Sequence, residues 1–288
     1  MLKKAEECGK IMGIYAVKQR RKEKMIIDFH VHAFNPKIAE KAITVLAQRC
    51  GITPYTRGLV EQTVECMDKW GVDKSVLLSI ATKPGQQTVI NDWAQQQEGD
   101  RFIPFGSVHP YAQDAVEEVF RIKQRGLHGI KLHPDYQDFM VDDPKVDPVL
   151  DAAKQADLPV IFHSGFDVLS PDLIHCMAGP ALKMIKRHKG LKIILAHLGC
   201  NDHWQDVYDI LAGVDGEVYF DTAFTSWRCP DDIMTKIIRK HGADRILFGS
   251  DMPWDRPDRI RDKILGLRIS DDDKEKILGI NAQRLLGL

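Results

Sequence analysis

The amino-acid sequence predicts an α/β fold, a closed (β/α)8 TIM barrel, from three observations. The chain has 288 residues, and single barrels of this kind commonly have about 250. Short apolar runs recur along it, rich in Ile, Val, Leu and Phe, as in parallel strands that are buried on both faces. Helical patterns separate these runs. The eight candidate strands are 25–29, 75–80, 102–108, 129–132, 159–162, 192–196, 217–220 and 245–248.

The segments between these strands carry apolar residues at helical spacing. Residues 59–70, for example, place Val60, Val64 and Met67 three or four positions apart, which is one face of an α-helix. The other predicted helices are 115–124, 146–156 and 231–241. Strands that alternate with helices along a whole chain indicate a parallel sheet. Eight of them at this length favour a closed barrel, with an open doubly wound sheet as the alternative.

Residues 1–24 stand apart from this pattern. They are rich in Lys, Arg and Glu, and their apolar stretch, residues 11–17, is interrupted by Gly13. That stretch is too short and too interrupted for a convincing secretory signal peptide. We therefore expect residues 25–288 to form a single barrel domain. The extension that precedes it is either an added helix or the product of a wrongly assigned start codon.

Composition and charge argue against several classes of protein. The formal net charge is −1, which disfavours nucleic acid or an anionic membrane as the main partner. No run approaches the length of apolar sequence that a transmembrane helix needs. The six cysteines form no C-x-x-C pair, so we expect reduced thiols in a cytoplasmic protein. A small-molecule substrate is the expected partner, and a homodimer is left open.

Polar side chains follow the predicted strands, at the end of a barrel where enzymes of this fold place their chemistry. His30 and His32 close the first strand, and residues i and i+2 of a strand point to the same side. Two neighbouring imidazoles are a natural start for a divalent metal site. Alone this pair is a weak signal, but five more strand ends carry such residues: His109, His133, His163, His197 and Asp251.

These positions favour one set of metal ligands, namely His30, His32, His163 and Asp251. The other strand-end histidines carry less weight. His109 and His133 are each followed by proline, and a core histidine bonded to a backbone carbonyl explains them equally well. His188 and His241 fall on predicted helices or surface and are set aside.

Five motifs in this order resemble the amidohydrolase superfamily. The chain is most similar to the amidohydrolase-related branch that includes aminocarboxymuconate-semialdehyde decarboxylase and other small-acid decarboxylases, lactonases and hydratases. The motifs are IIDFHVHAF, GIKLHP, VIFHSG, ILAHLG and RILFGSDMPW, at strands one, four, five, six and eight. The ending KILGINAQRLLGL also resembles that family's last helices. The resemblance spans about residues 25–288 and implies the barrel fold with metal-dependent chemistry.

The resemblance also implies roles for individual residues. It implies one divalent ion, usually zinc, with manganese and iron as alternatives, on the four ligands named above. His197 then matches the residue that activates water or shuttles a proton, and Asp251 is a second candidate acceptor of that proton. Lys131 stands where two-metal members carry a carboxylated, bridging lysine. A second metal therefore stays open, and so does pairing of Lys131 with a substrate carboxylate.

Two other barrel classes that share H-x-H fit less well. TatD-like nucleases use a glutamate near strand three, where this chain reads FGSVHP. Polymerase-and-histidinol-phosphatase-like barrels need more metal histidines and acids at other places. The residues expected to shape a substrate pocket are Lys131, Trp204, Arg228, Trp254 and Arg57, the last in a long loop after strand one.

Several reactions suit the predicted site. Our first expectation is hydrolysis of a small carboxylate-, lactone- or ester-type substrate by metal-activated water. The alternative is nonoxidative decarboxylation of a small unsaturated or aromatic acid, and hydration is a third variant. A barrel that binds metal without catalysis is the non-enzyme alternative. The ligand pattern does not separate the enzymatic reactions, because all of them use the same site.

Overall fold

The computed structural model describes residues 25–288, so the predicted extension of residues 1–24 lies outside the described residues. Eight parallel strands follow one another in sequence order around one sheet. Each strand overlaps the apolar run that predicted it. In chain order they are β1 (Ile27–Val31), β2 (Lys74–Leu78), β3 (Phe102–Ser107), β4 (Ile130–Leu132), β5 (Val160–Phe162), β6 (Ile193–Leu195), β7 (Val218–Asp221) and β8 (Ile246–Leu247).

The barrel closes between β8 and β1. β8 is short, but the chain that follows it continues to pair with β1. Asp251 N donates to His30 O at 2.8 Å, and His32 N donates to Met252 O at 2.7 Å. A parallel bridge also joins Val31 to Met252. The predicted barrel is therefore confirmed, and the open doubly wound sheet is wrong. The same bonds hold Asp251 beside His30 and His32.

Helices surround the strands. In the described part of the chain the α-helices are α1 (Pro36–Cys50), α2 (Val60–Trp70), α3 (Gln87–Gln95), α4 (Ala115–Gln124), α5 (Pro134–Gln137), α6 (Asp147–Gln155), α7 (Ala178–Arg187), α8 (Trp204–Asp206), α9 (Asp231–His241), α10 (Pro257–Gly266), α11 (Asp271–Glu275) and α12 (Asn281–Leu286). The predicted helices correspond to α2, α4, α6 and α9. Among the described residues, no helix is both long and apolar enough to span a membrane.

The long loop predicted after the first strand contains a helix, α1. The side chain of Asn35 caps it by accepting a hydrogen bond from Lys37 N at 3.0 Å, and proline follows at the first helical position, where it is favoured. The helix ends at Gly51, whose φ of 66° is a left-handed conformation that glycine adopts without strain. Within α1, Ala39 and Ile43 are the buried residues. The sequence reading left residues 36–50 as loop, although Ile38, Ala42, Val45 and Leu46 stand at helical spacing.

The barrel interior is a packed apolar core that seven strands and α12 supply. Its buried members are Ile27, Phe29, Val76, Leu78, Ile103, Phe105, Ile161, Ile194, Tyr219, Leu247, Ala282 and Leu285. A second and larger core lies between the strands and the helices around them. Ile130 and Leu132 of β4 belong to that outer core. Because neighbouring residues of a strand point to opposite faces, Lys131 between them faces the interior.

Candidate metal centre

The carboxyl ends of the strands surround one cavity of about 1010 Å³. Eight of the ten residues that the sequence assigned to the site or to the pocket wall line it: His30, His32, Lys131, His163, His197, Arg228, Asp251 and Trp254. Arg57 does not line it. That side chain is exposed and lines a separate surface cavity of about 380 Å³, beside Gln62 and Glu65. The helix α1, which was expected to be loop, forms the wall where Arg57 was expected.

Three of these residues bring electron-donating atoms together. His30 Nε2 lies 3.2 Å from His32 Nε2. Asp251 Oδ1 lies 3.5 Å from His30 Nε2 and 3.3 Å from His32 Nε2. β1 supplies His30, His32 follows directly after that strand, and the segment after β8 supplies the aspartate. The three atoms form a nearly regular triangle that faces the cavity.

Hydrogen bonds behind the two histidines fix which ring nitrogens carry protons. His32 Nδ1 lies 2.9 Å from Leu78 O, and a carbonyl oxygen only accepts, so Nδ1 carries the proton. His30 Nδ1 donates to Asp221 Oδ2 at 2.7 Å. Burial lowers the pKa of His30 well below its usual value, so its ring is neutral. In the neutral form of each ring, the proton on Nδ1 leaves the lone pair of Nε2 facing the cavity.

This triangle fits a divalent metal ion. A tetrahedral zinc ion with Zn–N distances of about 2.0–2.1 Å separates its ligands from one another by about 3.3 Å, close to the three distances measured here. Burial acts to raise the pKa of Asp251, but the contacts with His30 and His32 hold it below its usual value. The carboxylate is thus charged and lies beside both Nε2 atoms. Imidazole nitrogen and carboxylate oxygen are ligands that a divalent cation would bind at the centre of this triangle.

His197 lies between this triangle and His163. Its ring centroid is 5.3 Å from that of His30 and 4.7 Å from that of His163. Its Nδ1 donates to Ala223 O at 3.1 Å, which leaves a lone pair on Nε2, 2.9 Å from His163 Nδ1. Burial lowers the pKa of His197. The Nε2 atom of His197 thus faces His163 beside the metal triangle, where an imidazole can take part in proton transfer.

A second group of ligand atoms lies beside the first and includes His133, His163 and Asp167. Asp167 Oδ2 is 3.7 Å from His163 Nε2 and 3.8 Å from His133 Nε2. His163 Nε2 has no hydrogen-bond partner within the described chain. Sequence reasoning missed Asp167 and left His133 open. The available signal was a carboxylate four residues after His163, in HSGFD, but no periodicity predicts the direction of a loop side chain.

Lys131 lies in the same cavity without a polar contact. The residue is 0 % exposed, and its Nζ has no hydrogen-bond partner in residues 25–288. Burial lowers the pKa of Lys131 to about 8, although Asp221 and Asp251 act in the opposite direction. Part of the amine is therefore uncharged near neutral pH. The uncharged amine is the form that can react with CO2 to give a carbamate.

Two further carboxylates hold the strand ends in place. Asp221 Oδ1 accepts the main-chain N–H groups of His197 at 2.9 Å and of Ala223 at 3.0 Å. Burial raises the pKa of Asp221, and His197 and these donors act against that rise because they favour the ionised form. Asp28 accepts from Ser250 N at 2.8 Å and from Ser250 Oγ at 2.5 Å. Asp28 thus ties β1 to the chain after β8.

Comparison with known protein families shows which family this chain belongs to. The family model described as amidohydrolase matches residues 27–288. The chain belongs to the amidohydrolase family. A search among curated proteins gave no match.

Solved structures with the same fold include an uncharacterised TIM-barrel protein from Bordetella bronchiseptica. It shares 20 % identity at a TM-score of 0.72, over 91 % of this chain and 98 % of that one. A 2,6-dihydroxybenzoate decarboxylase in complex with 2,6-dihydroxybenzoate shares 19 % at 0.69, over 92 % and 100 %. A dihydroxybenzoic acid decarboxylase from Polaromonas, with bound manganese and 2-nitroresorcinol, shares 19 % at 0.69, over 92 % and 97 %. At these identities the likeness concerns the fold.

Within this amidohydrolase, the sequence-predicted ligands divide between the two groups. His30, His32 and Asp251 lie in one group, and His163 lies in the other, joined to the first through His197. The four-residue ligand set therefore stays a prediction. Three of its members, His30, His32 and Asp251, lie close enough together to bind one ion. Trp254 is partly buried and lies at the cavity wall. Trp204 is buried outside the cavity, where its Nε1 donates to His197 O at 3.0 Å.

Proposed function

We propose that this amidohydrolase is a metal-dependent hydrolase that acts on a small carboxylate-, lactone- or ester-type substrate through water activated at a divalent ion. One observation carries the proposal. Two histidine lone pairs and one carboxylate oxygen converge within 3.5 Å of one another in a large cavity at the carboxyl ends of the strands. Such a ligand set leaves coordination positions for water and substrate, as catalytic sites do.

The ligands we propose for this ion are His30, His32 and Asp251, with His163 completing the predicted set. A divalent ion bound there lowers the pKa of water and polarises a substrate carbonyl. Nitrogen and carboxylate ligands together suit zinc, manganese and iron. We propose zinc as the native ion, with manganese as the first alternative, because the Polaromonas decarboxylase of the same fold holds manganese.

His197 is the residue we assign to proton transfer. Its Nδ1 is held by Ala223 O, so we assign Nε2, which lies 2.9 Å from His163 Nδ1, as the atom that would accept a proton from the attacking water and return it to the leaving group. Asp251 is the second acceptor, since Oδ1 lies beside both histidine ligands of the triangle. The Asp221 carboxylate is a positioning residue because it contacts His30 and the main chain of His197.

Nonoxidative decarboxylation is the second candidate function. The observation that favours it is the shared fold with several aromatic-acid decarboxylases. The cavity residues do not separate the two reactions, because a site that polarises an ester carbonyl also binds a carboxylate.

The two reactions are separated by their products. The experiment is a screen of the zinc- or manganese-loaded enzyme against lactones, aryl esters and hydroxybenzoate-type acids, with acid release and CO2 release followed in parallel. Acid release from an ester or lactone without CO2 supports the hydrolase. Release of CO2 from an aromatic acid, with esters and lactones untouched, overturns the hydrolase and supports the carboxy-lyase. Activity that persists after a chelator has removed the bound metal contradicts both.

A second metal position depends on Lys131. The free amine offers one lone pair, whereas a carbamate on Nζ offers two oxygens that can bridge ions. We propose one ion for the unmodified chain and a second only when Lys131 is carboxylated. Metal analysis with and without added bicarbonate tests this, together with ¹³C NMR of protein equilibrated with labelled bicarbonate. Loading of a second ion without a carbamate signal contradicts the bridging role.

We also propose a cytoplasmic protein that acts on a small molecule. The five described cysteines are free thiols, which supports a reducing compartment. A homodimer stays a proposal for measurement by light scattering, since the described contacts are those of one chain.

A further inference from the structure

One face of α1 lines the metal-site cavity. Its residues there follow one another at the three- and four-residue spacing of a helix face: Ile38, Lys41, Ala42, Val45, Leu46 and Arg49. Ala39 and Ile43, on a neighbouring side of the helix, pack into the protein. Neither metal binding nor proton transfer, as proposed above, uses any residue of α1.

The apolar side chains on this face remain partly in water. Ile38 is 51 % exposed and Val45 is 39 % exposed. Val168 and Trp227 line the same cavity from the loops after β5 and β7, and they are also exposed. An apolar surface gathered in a cavity, rather than scattered singly, marks a place where an apolar ligand is bound. The cavity volume of about 1010 Å³ lies at the upper end of the range for drug-sized ligands, so the apolar part is extended.

Charge is distributed unevenly along the cavity. The carboxylate side chains that line it are almost fully buried: Asp135 is 0 % exposed, Asp167 is 9 % exposed and Asp251 is 12 % exposed. By contrast, Lys41 and Arg49 of α1 are exposed, and neither has an ion pair or a side-chain hydrogen bond with the described residues. The acidic side chains lie deep in the cavity together with buried Lys131, and Arg228 at its wall pairs with Asp202. Lys41 and Arg49 therefore supply the exposed positive charge of the cavity that has no partner among the described residues. This arrangement favours a substrate that places an anionic group at α1.

We propose that the substrate is an amphipathic molecule with three parts. Its reacting group lies at His30, His32 and Asp251, its apolar body lies along α1, and its far end carries a carboxylate that binds Lys41 and Arg49. The inference rests on the proposed function, since it takes the reacting group to lie at the metal ligands. It adds a substrate class: molecules in which an apolar spacer joins a hydrolysable or decarboxylatable group to a distal carboxylic acid.

Binding of hydroxamic acids to the zinc-loaded full-length chain tests this directly and does not depend on the reaction type. A hydroxamate chelates zinc, so it anchors one end of each probe. The pairs are the monohydroxamates of hexane-, octane- and decanedioic acid against the methyl-ended hydroxamic acids of equal length, measured by isothermal titration calorimetry. We expect the carboxylate end to tighten binding by about tenfold at one chain length in low salt. The difference should shrink as salt is added, because exposed charges are screened.

Variants of α1 test which side chains bind the carboxylate end of the probe. In Lys41→Gln combined with Arg49→Gln, the preference for the carboxylate end should disappear, while binding of the methyl-ended probe is unchanged. The matched control is Lys37→Gln, which removes an exposed lysine of the same helix that does not line the cavity and should keep the full preference.

The outcomes separate the inference from the proposed function. The inference is overturned if the wild type binds both probe types equally at every length, or if the double variant keeps the preference. If neither probe type binds the zinc-loaded wild type, the metal-centred function fails and the inference fails with it.

Discussion

Replacing Asp221 with asparagine reverses one hydrogen bond behind the metal ligands at nearly constant side-chain size. Asp221 Oδ2 accepts from His30 Nδ1 at 2.7 Å, and Oδ1 accepts the main-chain N–H groups of His197 and Ala223. The asparagine oxygen can keep the two main-chain contacts, which leaves its NH2 group facing His30 Nδ1. Two donors then face each other, so His30 takes the other tautomer and protonates Nε2. The lone pair that faces the metal position is lost.

The expected loss of zinc affinity follows from the hydrogen bond that is reversed. Loss of a partner that orients a metal-binding histidine typically lowers metal affinity about 10- to 100-fold, which corresponds to about 1.4–2.7 kcal/mol. Both side chains of this contact are almost fully buried, at 1 % and 0 % exposure, so water does not replace the lost acceptor. We therefore expect Asp221→Asn to fall in the upper half of this range.

The assay is competition for zinc with a chromophoric chelator, on protein whose folding is checked by circular dichroism. The control is Asp28→Asn, which alters a neighbouring buried carboxylate whose hydrogen bonds go to Ser250 and to the main chain of His30, with no imidazole ring among them. It should bind zinc nearly as the wild type does. Wild-type zinc affinity in folded Asp221→Asn would refute the tautomer argument.

Three other predictions concern proton transfer, loop packing and pH. His197→Gln should keep its zinc but lower kcat by about 10²- to 10⁴-fold; normal turnover would mean that His197 transfers no proton. Gly165→Ala should lower the free energy of unfolding by about 3 kcal/mol or more, because the new Cβ would lie 2.0 Å from Asn201 N at a φ of 91°. Gly179→Ala, in open space on α7, should be neutral or stabilising by about 1 kcal/mol, and equal melting temperatures for the two variants would contradict the loop packing. Burial lowers the pKa of His241 to about 3, whereas an unfolded histidine titrates near 6.5. The unfolded state therefore binds more protons between these values, and stability should fall as pH drops from about 6.5 towards 3. His241→Gln should flatten that part of the urea-unfolding pH profile, and an unchanged slope would exclude His241 as its source.

The barrel was predictable because its strands are buried on both faces. Runs such as the one around Ile193–Leu195 are apolar at every position, and their alternation with helices indicates a parallel sheet. The pairing of His30 with His32 was predictable for a related reason, since strand geometry alone turns both side chains to one side. Asp251 followed from its place after the last strand.

The second group of ligand atoms, from His133, His163 and Asp167, was not predictable in the same way. Asp167 lies in a loop, and its approach to His163 depends on the loop path rather than on any repeating geometry. Strand position likewise does not specify which of the two groups His163 joins. The position of Arg57 was misjudged because residues 36–50 were read as part of a long loop, although Ile38, Ala42, Val45 and Leu46 have the spacing of a helix face. The cavity wall at this point is therefore a helix that the sequence reading did not include.

The metal content of the purified protein tests the central claim most directly. Wild-type protein, analysed by inductively coupled plasma mass spectrometry after desalting, should carry about one equivalent of a divalent ion. Asp251→Asn removes the charge from the triangle that Asp251 forms with His30 and His32, and this variant should lose most of that ion while remaining folded. Wild-type protein that carries no metal, and that neither binds nor is activated by added zinc or manganese, would contradict the account.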